Sequence, residues 1–376
     1  MKKRIFIIAG EASGDMHGAN LVKALRRQSE ELEIFGFGGS GMRRAGMDVI
    51  LDSADLAVMG ITEVLSKIST IRSGFRTAER LLRQRRPDLL ILIDFPDFNL
   101  RIAAKAKKAG IPVLYYISPQ IWAWRRGRVR IIGRLVDHMA VILPFEERFY
   151  RDHRVPVTFV GHPLMDDWDG SLPGTAGRSN GIKSIGLLPG SRLGEIQRHL
   201  PVLLEAAVSI QRRRPEMQFT VSRSPEIDPG IYQAMSRPYT DRLGLELDGN
   251  GARRLLGRVD LVVAASGTVV LEAALADTPA IVIYRVSPLS YLIGRLLIRV
   301  PFISLVNLIA GRLVVPELIQ QESSAESIAE KVFRLIDHPS EVDRIRGGLE
   351  VVRRRLGKPG ASDRVAGIAL KMVAAH

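Results

Sequence analysis

Leu89-Leu90-Ile91-Leu92-Ile93-Asp94-Phe95-Pro96-Asp97-Phe98-Asn99 is the stretch that decides the fold class. Leu89–Ile93 is an unbroken apolar run with no polar alternation, the pattern of a strand covered on both faces in a parallel sheet. Asp94 ends that strand, and ligands bind beyond the carboxyl ends of strands in open α/β sheets. A carboxylate there suits a general base acting on a substrate hydroxyl. Asp97 is the second choice for that role, although Asp97 and Asn99 also suit plain helix capping.

The same alternation continues on both sides. Upstream, Ile5–Ala9 and Glu33–Phe37 read as strands, with helices over His17–Gln28 and Arg76–Arg85, the latter ending before Pro87. Downstream, Arg101–Ala109 reads as a helix closed by Gly110, and Val113–Ile117 and His138–Leu143 as strands. Repeated strand–helix–strand order implies parallel strands joined by right-handed crossovers. The pattern breaks near Gly161-His162-Pro163, where His162 suits a hinge. It restarts with strands at Ser184–Leu188, Gln218–Val221, Leu261–Ala264 and Ala280–Tyr284, a helix at Gly194–Arg213, and mainly helices from Ala325 onward. The expected architecture is α/β, with two Rossmann-like domains facing each other across a cleft. Residues 1–165 form the first, 166–181 a linker rich in Asp, Gly, Ser and Pro, and 182–357 the second, with a helix near 358–376 packing back on the first.

Composition narrows the class. The chain has 376 residues, of which 46% are hydrophobic and 25% charged, as in folded globular proteins. There is no cysteine, which excludes disulfides and thiolate metal sites and fits a reducing cytoplasm. Met1-Lys2-Lys3-Arg4 precedes too short an apolar run for a signal peptide, and Ile5–Ala9 reads better as a first buried strand. A net charge of +14 favours an anionic partner, whether phosphorylated substrate, nucleic acid or membrane surface, unless it is only a basic surface. Aromatic residues are 6%, and no nucleic-acid-binding signature appears, so no nucleic-acid partner is expected. Ser287 to Ala310 is unusually apolar but is interrupted by Pro288, Arg295, Arg299 and Pro301, which suits a core or surface-seeking helix rather than a membrane span.

Several turns carry phosphate chemistry. Gly190-Ser191-Arg192, after the strand ending at Leu188, opens a helix carrying Glu195. Backbone N–H groups, the helix dipole and a bidentate guanidinium there suit a diphosphate. Ser266-Gly267-Thr268 opens a second helix, in which Glu272 sits where it can accept from ribose hydroxyls. Gly10, Ser13, Gly14 and Asp15 form the first strand-to-helix turn, where small residues admit a ligand to the backbone, though a tight turn capped by Asp15 is the plain alternative. Gly36-Phe37-Gly38-Gly39-Ser40-Gly41 spells G-x-G-x-x-G but follows the second strand and lacks a downstream acid at a strand end, which argues against a nicotinamide site. Asp167-Trp168-Asp169 lies in the linker and reads as solvated. No metal cluster, G-x-S-x-G elbow or cofactor site is expected. Val64, Leu65, Ile68 and Ile71 form a helical apolar stripe beside Lys67 and Arg72. It is core by default, and a membrane or acyl-chain surface on the sharper reading. Trp122 and Trp124 beside Arg125 and Arg126 suit a membrane edge or a stacked ligand.

Taken together, Gly10–Asp15 (GEASGD), Leu56–Glu63 (LAVMGITE), Ile93–Asn99 (IDFPDFN), Ile117–Arg125 (ISPQIWAWR), Leu188–Arg192 (LPGSR), Ser266–Thr268 (SGT) and Ser304–Gln320 resemble the lipid-A-disaccharide synthase family, in order and over nearly the whole chain. The resemblance implies a GT-B glycosyltransferase that inverts configuration without a metal or cofactor. Its donor would be UDP-2,3-diacylglucosamine, and its acceptor 2,3-diacylglucosamine 1-phosphate, attacking through its 6-hydroxyl. It further implies Asp94 as base, Arg192 as diphosphate clamp, Asn307 in the donor site, Glu272 near the nucleotide, and Met59 with the first turn at the sugars. The Val64–Ile71 stripe would meet acyl chains at the inner face of the cytoplasmic membrane, where the enzyme would sit peripherally, with a homodimer left open. The chain departs from the family pattern at Phe95, Val306 and Gln120-Ile121, positions that form walls rather than charges. Other readings are a different GT-B sugar-nucleotide enzyme, such as a peptidoglycan N-acetylglucosaminyltransferase or a UDP-N-acetylglucosamine 2-epimerase, and a non-catalytic nucleic-acid-binding protein.

Overall fold

In a computed structural model of the chain, residues 2–56, 61–166, 168, 181–240 and 242–375 are described, without the side chains of Ala12, Asp55, Leu56 and residues 61–68. The chain divides into two units. Residues 1–167 with 356–376 make the first, and residues 168–355 the second.

The first unit is built on strands β1 (Lys3–Ala9), β2 (Leu32–Gly38), β3 (Asp48–Asp52), β4 (Leu89–Ile93), β5 (Val113–Tyr116), β6 (His138–Val141) and β7 (Val157–Phe159). All pair in parallel, in the order β3-β2-β1-β4-β5-β6-β7. Residues alternate between two apolar layers, as the two-residue period of a strand requires. Phe6, Ile8, Leu90 and Leu92 pack with the helices Ile61–Arg85 and Pro96–Lys108, while Ile5, Ile7, Leu89 and Ile91 pack with the helices Ala12–Gln28 and Ala361–Ala374. The last helix supplies Val365, Ala366, Ala369 and Val373 to that second layer. Asp166 caps it, accepting from the backbone N–H groups of Gly360, Ala361 and Ser362 at 2.7, 2.9 and 3.1 Å. Buried His162 ties the outgoing chain to the returning one, its N–H donating to the Leu356 carbonyl at 2.9 Å.

The second unit repeats the plan with β8 (Ser184–Leu188), β9 (Gln218–Ser222), β10 (Glu246–Asp248), β11 (Leu261–Ala265), β12 (Ala280–Tyr284) and β13 (Glu317–Ile319), again parallel, in the order β10-β9-β8-β11-β12-β13. In each sheet the strand order reverses about one point, between β1 and β4 and between β8 and β11. Loops at such a point splay to opposite faces and leave a crevice for a ligand. Gly10 and Asp94 lie at the first, Gly190 and Ser266 at the second.

Asp15 and the second glycine-rich turn account for each other. The Asp15 carboxylate accepts from the N–H groups of Gly39, Gly41 and Met42 at 2.7, 2.9 and 3.0 Å. These amides would otherwise greet an anion, so the G-x-G-x-x-G turn is already filled by a carboxylate of the chain itself. Gly36, at φ +149°, packs with its Cα against the Ile7 carbonyl, where a Cβ would sit 1.9 Å away. The turn is a packing device, and Asp15 is its clamp rather than a ligand-binding residue.

Candidate active site

At the first switch point the chain turns sharply out of β4. Asp94 and Phe95 adopt φ +45° and +49°, a left-handed conformation that side chains resist. Three bonds enforce it: Tyr115 Oη and Asn99 Nδ2 each donate to the Asp94 carbonyl at 2.6 Å, and Asn99 Nδ2 also reaches the Ile93 carbonyl at 3.2 Å. Left-handed backbone strain of this kind clusters at functional sites. Burial pushes the Asp94 carboxyl up to about 6, the nearby Glu11 carboxylate adds to the rise, and the Phe95 backbone N–H opposes it. The side chain is thus poised to exchange a proton near neutral pH.

The other residues of this region sort clearly. The Phe95 ring covers Gly10, where a Cβ would lie 2.3 Å from it, so the two turns interlock and the bulk at position 95 requires glycine at 10. Gly14 lies under Ala9, and Ser13 is exposed. Asp97 is turned to solvent with its side chain 74% exposed, and pairs with Arg128 at 2.6 Å and Arg125 at 3.9 Å. That environment leaves Asp97 a surface ion-pair partner, unlike the half-buried Asp94. Trp122 is buried, donates from Nε1 to Glu146 Oε1 at 3.0 Å, and packs edge-on to Phe145. Its expected place at a membrane edge is therefore corrected: it is core, and burial raises the Glu146 carboxyl it serves to about 8. Trp124 is exposed, with the Arg125 guanidinium 4.0 Å above its ring. Ile71 is half-buried against the core. Met59, the side chains of Val64, Leu65 and Ile68, and the Asp167 and Asp169 of the linker lie outside the described residues.

In the second unit, a cavity of about 430 Å³ opens over the carboxyl ends of β8, β9 and β11. Gly190, Ser191, Arg192, Glu195, Ser266, Gly267, Thr268 and Glu272 all line it. Gly190 takes φ +117° because Glu195 folds back over it, its carboxylate accepting from the N–H groups of Ser191 and Arg192 at 3.1 and 3.4 Å. Glu195 is thus a cap that shapes the turn. The Arg192 side chain is 77% exposed and only loosely tied to Glu195, at 3.8 Å. Burial raises the Glu272 carboxyl, and the Arg253 guanidinium opposes the rise.

Asn307 is absent from the cavity lining. It is wholly buried and fully used: Nδ2 donates to the Val315 carbonyl and to Glu317 Oε1 at 2.9 and 2.8 Å, while Oδ1 accepts from the N–H groups of Val314 and Val315 at 2.7 and 3.0 Å. A residue so committed builds the wall rather than touching a ligand, which corrects its expected contact role. Asn307→Ala strands buried amides and should cost about 3 kcal/mol of stability, read by thermal unfolding. An unchanged melting temperature would contradict that assignment.

Sequence reasoning missed two contributors. Ser222-Arg223-Ser224-Pro225, at the end of β9 and just beyond it, also lines the cavity, and Arg223 Nε is buried with no hydrogen-bond partner among the described residues. A strand followed by hydroxyls and an arginine was the available signal. His199 bridges two turns, with Nδ1 2.9 Å from the Pro189 carbonyl and Nε2 accepting from the Arg285 N–H at 3.2 Å. That pattern needs a neutral ring, and burial lowers its pKa accordingly.

Residues 5–358 match the family described as lipid-A-disaccharide synthetase. The chain is similar to the lipid-A-disaccharide synthase of Geobacter metallireducens, at 47% identity over 99% of this chain and 97% of that one. It is also similar to the protein of that name in Myxococcus xanthus, at 44% identity over 98% and 97%. Among solved structures it resembles UDP-GlcNAc 2-epimerase from Neisseria meningitidis bound to UDP-GlcNAc, with TM-score 0.66 and 13% identity over 98% of this chain and 100% of that one. It also resembles the glycotransferase of kitacinnamycin, with TM-score 0.65 and 15% identity over 99% and 100%. At these identities the likeness is one of fold, the GT-B architecture.

Proposed function

This chain belongs to the lipid-A-disaccharide synthetase family, and from that premise we propose how its residues divide the reaction. The enzyme is a glycosyltransferase. It transfers 2,3-diacylglucosamine from its UDP donor to the 6-hydroxyl of 2,3-diacylglucosamine 1-phosphate, forming a β-1,6 lipid A disaccharide 1-phosphate and UDP.

In our reading Asp94 takes the proton of the acceptor 6-hydroxyl as its oxygen attacks the anomeric carbon. The bond to the β-phosphate oxygen breaks on the opposite face, which inverts the centre. The leaving diphosphate gathers charge, and Arg192, the N-terminal amides of the Leu193–Arg213 helix and the hydroxyls of Ser266 and Thr268 neutralise it. Glu272 accepts from the ribose. Arg223 is a further cation for the nucleotide. Asn307 serves the site at one remove by holding the Ser304–Glu317 turn in shape. With the charge carried by these groups, the reading needs no divalent metal.

The single observation that carries this assignment is the cavity over β8, β9 and β11, in which glycine turns, hydroxyls and arginines converge. The acylated substrates and the +14 charge support work at an anionic membrane face, with the enzyme cytoplasmic and peripheral. The test is UDP release in detergent with a chelator. Acceptor-dependent release from the diacylated donor, unaffected by chelation, is expected. Turnover of UDP-N-acetylglucosamine in preference, or a rate abolished by chelation, would contradict the reading.

A further inference from the structure

The Pro288–Leu297 helix turns its apolar side to water. Leu289, Leu292, Ile293 and Leu296 recur at helical spacing and form one stripe. A stripe of this kind ordinarily faces a core, yet no residue of this helix is buried, and Leu289 and Leu296 are 68% and 73% exposed. Leu297 and Ile298 extend the patch, so this short segment holds six of the eleven exposed large hydrophobic residues among those described. Concentration on that scale marks an interaction surface rather than ordinary surface wear.

The helix is firmly built at its start. Ser287 Oγ accepts from the Ser290 N–H at 3.2 Å, and Pro288 stands in the first turn. Gln320 grips the preceding residue from both sides, accepting from the Val286 N–H at 2.8 Å and donating to its carbonyl at 3.1 Å. One residue earlier, Arg285 is bonded to His199, which also meets Pro189 of the phosphate turn. The exposed helix is thus tied through a short rigid path to the donor cavity.

Charge identifies the occupant. From Thr278 to Pro316 the chain has no Asp or Glu, while Arg285, Arg295, Arg299 and Arg312 are all basic. Two copies meeting through this face would bring like charges together, whereas an anionic bilayer surface offers both apolar depth and opposite charge. Among the described residues no helix is long and apolar enough to cross a membrane, so this one lies along the surface. We propose that the outward face of the Pro288–Leu297 helix docks the nucleotide-binding unit on an anionic lipid bilayer, placing the donor cavity where an acylated donor resides. This rests on the reading that the enzyme works at a membrane, and adds a docking element outside the Val64–Ile71 stripe.

The test uses the full chain with vesicles of phosphatidylcholine, alone or with roughly a third phosphatidylglycerol. Wild type should sediment with the anionic vesicles, less so as salt rises. The triple variant Leu289→Ser, Leu292→Ser, Leu296→Ser should bind at least about tenfold more weakly while releasing UDP from detergent-dispersed substrates at the wild-type rate. Because the chain has no cysteine, Leu296→Cys takes a polarity-sensitive dye at one position, and its emission should shift to the blue on the same vesicles. If wild type binds but the triple variant binds equally and the dye does not shift, the docking face is elsewhere and only this inference falls. Should wild type bind neither vesicle, the membrane reading itself falls and the inference with it. Conversion of a dimer to a monomer by the triple variant, with vesicle binding intact, would assign the face to a second copy and overturn the proposal.

Discussion

Asp94→Asn should lower kcat/KM for the acceptor by about a thousandfold, within the range that a positioned base contributes, while the chain stays folded. Asparagine matches aspartate in shape and tolerates the φ of +45° that this position demands, but it cannot take a proton. The variant should also be more stable at neutral pH. Burial raises the Asp94 carboxyl from 3.8 to about 6, so the folded chain holds this proton more tightly than the unfolded chain does. The cost of ionising it in the fold therefore appears as pH rises from about 4 to 6 and is complete above 6, where it amounts to about 3 kcal/mol. A variant that gains stability at pH 7 but not at pH 3, and loses the reaction, would show that the site is held at the expense of stability. Asp97→Asn should fall less than about tenfold, because the Asp97 carboxylate is exposed and answers Arg125 and Arg128.

Arg192→Ala should lower kcat by about a hundredfold or more, since the guanidinium answers charge that develops as the diphosphate leaves. Its side chain is 77% exposed and its ion pair with Glu195 is long, at 3.8 Å, so the melting temperature should not move. Arg192→Lys should recover only part of the rate, because an ammonium keeps the charge but not the paired donors. A variant that raises the KM for donor with kcat untouched would make Arg192 a binding residue alone.

Much of this molecule was legible from its residues, for physical reasons. The central strands announce themselves because both faces are buried, so Ile5–Ala9, Leu89–Ile93, Leu261–Ala264 and Ala280–Tyr284 carry unbroken apolar runs. Short edge strands were not read: Asp48–Asp52, Val157–Phe159, Glu246–Asp248 and Glu317–Ile319 are partly exposed and too brief to show a period. The sequence pattern starts two helices late, at His17 and Arg101, where the structure begins them at Ala12 and Pro96, because glycine and aspartate in a first turn resemble loop. The cavity residues were readable because small residues, hydroxyls and arginine after a strand have few other uses. What remained closed to inspection was direction. Asn307, Asp15 and Trp122 are polar or amphipathic residues whose partners lie elsewhere in the chain, in Val314–Glu317, Gly39–Met42 and Glu146. Only the fold shows that each bonds inward instead of facing a ligand. His199 escaped for the same reason, since its two ring nitrogens serve backbone groups of separate turns.

The central claim is that Asp94 is the base, and the pH dependence of kcat/KM for the acceptor tests it most directly. Below about 6 the carboxyl is protonated and cannot accept the hydroxyl proton, so log kcat/KM should rise with unit slope and level off above an apparent pKa of about 6. That limb should be absent from the residual activity of Asp94→Asn. A wild-type profile flat from pH 5 to 8, or one whose ascending limb survives unchanged in the variant, would remove Asp94 from the chemistry.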